Sequence, residues 1–344
     1  WWLVVSGLGW LAFPLLSACL PTLRDRGYGL ARLVGLLVVA YGTWLAASVH
    51  LFPNTRATIT RMVALLALVG GGVGWQRWNE LKGFVRERWR TIVVVEALFA
   101  ALFGLWLIVR MLQPDLWHPV VGGEKPMDFA YLNAVMKSTW FPPYNPWLSG
   151  TWINYYYFGF VIVGSLIQLV GTVPAVAYNL AVPLVFALMG TGAFSVAYNL
   201  AGIGDGERRS RRALLAGGAA VVFTVLVGNL GVIHLLVDKL IAIGDVSFPS
   251  TIPGFPNTVS LGRGLWRVIV KGTHIAVRNE TWYWHPTRII PAEAGNPIAE
   301  FPAFTFLYGD LHAHMIALPL TLTALALALN WARSTRHGLG SLLL

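Results

Sequence analysis

Apolar runs long enough to cross a bilayer recur along this chain, and no other feature limits its fold as much. A helix needs about 20 predominantly apolar residues to span roughly 30 Å of hydrocarbon, and inside it only helices and closed barrels satisfy their own backbone. Such runs read at about 1–20, 30–52, 57–75 and 91–112, then in a less regular region 155–201, then at about 213–236 and 311–333. With 56% hydrophobic and 12% charged residues and a mean hydropathy of +0.63, the chain lies far from a soluble globular composition. The expected fold class is all-α, a polytopic transmembrane helical bundle of about 7–8 membrane segments. Its first partner is the lipid bilayer, and its expected location is the cell membrane. Its 16 Trp and 11 Tyr suit two interfacial belts.

The net charge of +10 does not call for nucleic acid, because the basic residues sit mainly in short loops between spans. Arg24, Arg26 and Arg32 form one group, and Arg77, Lys82, Arg86, Arg88 and Arg90 a second. Arg208, Arg209, Arg211 and Arg212 form a third, while Arg333 and Arg336 follow the last span. The positive-inside rule puts all of them in the cytoplasm and loops 113–154 and 237–310 outside, provided that 155–201 crosses an odd number of times. A region of that length holds two segments, so one, best 155–172, is expected to be re-entrant or half-buried. Two ordinary spans are the alternative, and they would place Arg208 to Arg212 outside.

The single Cys19 lies in an apolar run, so neither a disulfide framework nor a thiolate metal site is available. Gly70 to Gly72 and Gly217-Gly218 lie within spans, where small residues allow close helix packing. Arg110 and Asp238 are expected to extend toward the ends of their spans, as is Glu96. The chain opens on Trp1-Trp2 without Met and stops at Leu344 just after a span, so it reads as a piece of a longer protein. Its organisation reads as N-terminal transmembrane helices over 1–112 and a membrane module over 113–344 that carries both long loops.

The polar sequence concentrates in those loops. In the first, Pro126 suits the start of a helix running to about Ser138. Asp128 then falls in the first turn, where free N–H groups and the helix dipole favour a carboxylate. Phe129, Leu132 and Met136 give an apolar stripe, so this helix is expected to lie on the membrane surface and to hold Asp128 at the lipid–water boundary. A capping acid is the plainer reading of Asp128. The loop continues through Trp140, Trp147, Asn154 and Tyr155-Tyr156-Tyr157, groups that commonly bind sugars and as commonly anchor at an interface.

The second loop carries His285 and Arg288, a guanidinium suited to phosphate, and ends in Asp310-Leu311-His312-Ala313-His314. In an extended segment Asp310, His312 and His314 project to one side; in a helix Asp310 and His314 share a face. Such mixed carboxylate and imidazole ligands suit a divalent metal, Zn, Mn or Mg. The alternative is polar residues satisfying the amides of a helix start.

Three of these motifs together carry a resemblance over roughly 110–335: Glu124-Lys125-Pro126-Met127-Asp128, Tyr155-Tyr156-Tyr157, and Phe301-Pro302-Ala303-Phe304 leading to Asp310 to His314. They resemble the YYY-type polytopic membrane proteins of chloroflexi and archaea, whose layout is similar to that of the GT-C glycosyltransferases. The resemblance implies a GT-C-like fold and transfer of a sugar from a polyprenyl-phosphate carrier on the extracytoplasmic face. It also implies Asp128 as the catalytic acid of the first large loop, with Glu124 as second choice. On this reading Asp128 deprotonates or orients the acceptor hydroxyl, while an ion on Asp310, His312 and His314, or Arg288 itself, offsets charge on the leaving phosphate. His285, Trp147, Asn154 and the three tyrosines would complete the substrate site. The competing expectation is a non-catalytic membrane subunit that scaffolds a larger complex.

Overall fold

The computed structural model describes residues 1–117, 123–202, 207–277, 282, 284–290, 295 and 297–334, with 207–209 described by backbone alone. Every regular element among them is helical. The chain forms two compact units, Trp1–Val225 with Phe306–Leu344, and Leu226–Thr305. Helices on both sides of residue 112 belong to the first, so contacts do not divide at the expected 112/113 boundary.

The first unit begins with α1 (Trp2–Cys19), α2 (Ala31–Ser48), α3 (Arg56–Gln76) and α4 (Trp78–Leu112). It continues with α5 (Lys125–Lys137), α6 (Phe158–Val170), α7 (Pro174–Ala201) and α8 (Glu207–Val221). After the second unit come α11 (Pro302–Tyr308), which carries the junction between the units, and α12 (Ala313–Arg333). Among the described residues, seven helical stretches are long and apolar enough to cross a membrane: α1, Tyr28–Ser48, α3, α4, α7, Ser210–Val227 and α12. The protein is a polytopic helical membrane bundle, as its apolar runs require.

Two ends of the first unit can be told apart. At one, the Arg26 guanidinium pairs with Glu80, Arg24 N–H donates to Asn199 Oδ1 at 2.7 Å, and Arg333 donates to the Asn199 carbonyl at 2.8 Å. The ends of α1, α7 and α12 and the starts of α2 and α4 therefore gather at this arginine end. The far ends of α2 and α4 and the starts of α1, α7 and α12 lie opposite. Arg211 and Arg212, exposed at the start of α8, follow the end of α7. Arg336 and the side chains of Arg208 and Arg209 fall outside the described residues.

The 13-residue α6 measures about 20 Å, too short for the hydrocarbon. Tyr157, just before it, accepts a hydrogen bond from Trp44 Nε1 at 2.9 Å in the last turns of α2. Near its other end Gln168 donates to Asn54 Oδ1 at 3.2 Å in the α2–α3 loop, and Thr172 accepts from Trp1 Nε1 at 2.8 Å. Both ends of α6 thus stay opposite the arginine end, and α7 alone returns the chain to it. The segment that does not cross is 158–170, within the expected 155–172; the two-span alternative is not the one adopted.

Glycine sets the closest crossings. A Cβ on Gly35 would run into the Leu8 backbone, and one on Gly70 into the Leu11 carbonyl, so α2 and α3 both press against α1 there. Two buried cations were misjudged from sequence. Arg32 is 4% exposed and pairs with Glu96, whose carboxylate also accepts from Tyr28, so Glu96 does not snorkel. Arg110 is likewise 4% exposed, turned inward onto Asn179 Oδ1 at 2.6 and 2.9 Å. Each found a polar partner on a neighbouring helix, which hydropathy along one segment cannot reveal.

The second unit packs α9 (Gly231–Gly244) on α10 (Phe255–Lys271), with Gly244 against the Ser260 backbone and Gly264 against the Leu240 carbonyl. The span expected at 213–236 is therefore divided: the helical stretch ends at Val227, Gly228 takes φ +63°, and α9 starts afresh. Apolarity continues through this break, which is why the sequence conceals it.

Candidate functional site

The first loop folds back because its two ends are fixed by different partners. Gly123, at φ +62°, lies so close to Asp310 and the Tyr308 ring that any side chain would collide with both. α5 then starts at Lys125 with Pro126 in its first turn, one residue before the expected start, and Asp128 N–H donates to the Glu124 carbonyl at 2.9 Å. The face it buries holds Asp128, Tyr131, Leu132 and Val135; of the expected stripe Leu132 lies on that face, while Phe129 and Met136 are partly buried beside it. Asp128 is 0% exposed, packed inside the bundle and not held at a lipid–water boundary.

The end of the second loop reaches the same place by way of α4. Trp106, stacked on Phe186 at 3.9 Å, donates its indole N–H to the Phe306 carbonyl at 3.0 Å. Gly309, at φ +72°, turns the chain beside Arg110, and Asp310 to His312 run extended into α12. Asp310 Oδ2 accepts from the Glu124 amide at 3.0 Å, while Oδ1 sits 3.1 Å from Lys125 Nζ. The ammonium also lies over the Tyr308 ring at 4.7 Å.

A tyrosine near the start of an apolar span ties the two loops together. The Tyr178 hydroxyl, fully buried on α7, accepts from the Leu311 N–H at 2.7 Å and donates to Asp128 Oδ2 at 3.4 Å. Asp128 Oδ1 is buried and has no hydrogen-bond partner among the described residues. Burial, then the negative charges of Asp310 and Glu124, push the Asp128 carboxyl up to about 8, against the opposing pull of Tyr178 and Lys125. Burial also raises Asp310, with Lys125 and the Glu124 amide holding it back.

Nearer the surface, the half-exposed Glu124 carboxylate pairs with His312 Nε2. Tyr156 shares that nitrogen at 2.7 Å and donates to Glu124 at 3.3 Å. Its phenol is pushed up by burial and by the Asp128 and Glu124 charges. His312 Nδ1 and His314 Nδ1 lie 2.8 Å apart, so one must donate to the other. The site thus grades from a buried acid to an exposed acid–imidazole–phenol cluster.

Of the residues expected at the site, the fold gathers Glu124, Asp128, Asp310, His312, His314 and Tyr156, with the Tyr155 ring tilted against Tyr156, centroids 3.8 Å apart. Tyr157 turns away to Trp44 and Phe141. Asn154 is exposed, as is Trp147 at 61% beyond the stacked Tyr144–Trp152 pair. His285 and Arg288 belong to the second unit, where Arg288 lies over the Trp284 ring at 4.7 Å. The Asp310 carboxylate is held by Lys125 and the Glu124 amide, while His312 faces Glu124 and Tyr156. Among the described residues no three His, Cys, Asp or Glu side chains are grouped so as to hold a metal ion. Lys125, inside a motif already singled out for its acids, was legible as a charge beside them. Tyr178 and Arg110 carried no signal beyond a polar group in a span.

Fold and site together define a multi-pass helical membrane protein with a buried acid at one end of its bundle. The chain belongs to the family described as uncharacterized membrane protein (DUF2298), which matches residues 38–340. No curated protein and no solved structure matches it.

Proposed function

We propose that the protein is a GT-C-like glycosyltransferase that moves a sugar from a polyprenyl-phosphate carrier to an acceptor hydroxyl. The reaction would occur at the end opposite the arginines, which the positive-inside rule makes the extracytoplasmic face of the cell membrane. The observation that carries the reading is Asp128: a buried carboxyl with a partnerless oxygen and a pKa of about 8, beside a surface cluster of Glu124, His312 and Tyr156. A structural cap would be hydrogen-bonded and ionised; a group kept near neutrality fits general-base work.

In the step proposed, the ionised Asp128 takes the acceptor's hydroxyl proton as that oxygen bonds to the anomeric carbon. The bond from that carbon to the carrier's phosphate oxygen breaks, and the phosphate keeps the electron pair. Lys125 is the cationic group at hand to offset the charge, with the His312 imidazole beside it.

The test is transfer from a panel of polyprenyl-phosphate hexoses by the purified protein. Asp128→Asn, of nearly equal size, is expected to lower the rate about 10²–10⁴-fold, the range of a lost general base. Unchanged transfer in that variant removes the mechanism. Absence of transfer from every carrier in the folded wild type would leave a non-catalytic scaffold subunit as the better account.

A further inference from the structure

The bundle carries a second built feature, at the arginine end and away from the acid site. Between α1, α3 and α4 lies a cavity of about 680 Å³, within the range of ligand pockets. Trp10 and Phe13 of α1 and Trp75 of α3 line it, and Gly71 and Gly74 add no side chains to fill it. Lys82 and Arg86 stand on its rim, both exposed. Lys82 Nζ lies over the Trp78 ring at 5.1 Å, and neither cation forms an ion pair among the described residues. Arg77, just outside, is already committed to Glu80 at 2.6 Å.

We propose that this groove binds one anionic diacyl phospholipid, its acyl chain against the tryptophans and glycines and its phosphate between Lys82 and Arg86. An apolar trough beneath two uncompensated cations, flanked by indoles that favour the headgroup level, complements such a lipid and leaves a zwitterionic one with less to gain. The groove opens at the end opposite Asp128, so it is not a seat from which a carrier phosphate reaches that acid. The inference is therefore independent of the transferase reading.

The test is native mass spectrometry of the detergent-purified protein, mixed with phosphatidylglycerol or phosphatidylcholine. One phosphatidylglycerol is expected to stay bound where phosphatidylcholine does not. The double variant Lys82→Ala/Arg86→Ala should bind it about 30-fold more weakly, as for two lost headgroup contacts. Gly71→Phe places a ring at the groove lining without meeting any atom within 4 Å at its Cβ, and should weaken retention in a folded protein. Equal retention of both lipids, retention unchanged by both variants, or a groove closed by a second copy of the chain in a dimer would each overturn the proposal.

Discussion

Asp128 has no exposed surface and lies near two other acids, so the folded chain holds its proton at a pH where the unfolded chain has released it. Its pKa stands at about 8 against an ordinary 3.8. A pKa raised by folding means that the native state binds the proton more tightly, so this stabilising contribution is complete below about 3.8 and is lost as pH rises through about 8. Thermal unfolding in detergent is expected to show a Tm that falls across that window, with a flatter profile for Asp128→Asn. Under the proposed function the same titration acts oppositely on rate: transfer should climb about tenfold per pH unit until about pH 8, because only the ionised form takes a proton. Tyr178→Phe separates the two roles of the hydroxyl. It leaves the buried Leu311 N–H without its acceptor, a cost of about 1–3 kcal/mol in stability. It also removes a hydrogen bond that favours ionised Asp128, so the pH–rate profile should move upward. A Tm loss without that shift would make Tyr178 a packing residue only.

At the scale of elements, small residues decide which helices approach closely. Gly35→Leu drives a side chain into the Leu8 backbone of α1 and is expected to cost about 1–3 kcal/mol or more, read as a lowered Tm, whereas Gly72→Leu, with open space around it, should be nearly neutral. The apolar helices were legible because length and hydropathy are local properties. So was α5, from Pro126 and the spacing of its apolar residues. The buried face of α5 was legible only in part: the stripe of Phe129, Leu132 and Met136 has Leu132 buried, but that Asp128 is drawn inward by Tyr178 was hidden, because hydropathy reads the helix of Tyr178 as plain membrane span. The break at Gly228 was hidden for the converse reason: apolar residues on both sides make one run of what are two helices.

For the whole molecule, the separation of ends is the property to measure. In a Cys19→Ser background, cysteines placed at the exposed Tyr155 and Val173 should react with a membrane-impermeant maleimide from one side of the membrane, and a cysteine at Arg211 from the other. Labelling of Tyr155 and Val173 from opposite sides would mean that α6 crosses after all. The acids of the site could be read from the chain, as could their common end, because loops gather where spans stop. Their linkage could not, for it depends on Tyr178 meeting Leu311 across the bundle. That linkage has a consequence for how the protein is made. A growing chain that has inserted α1 to α8 already has Glu124 and Tyr178 but still lacks Asp310 and the Leu311 amide, so Asp128 has only one of its two neighbouring charges and a phenol not yet held by that amide. Until α12 is threaded into place the surroundings that raise its proton affinity are incomplete, and the unusual acid is finished only when that helix docks.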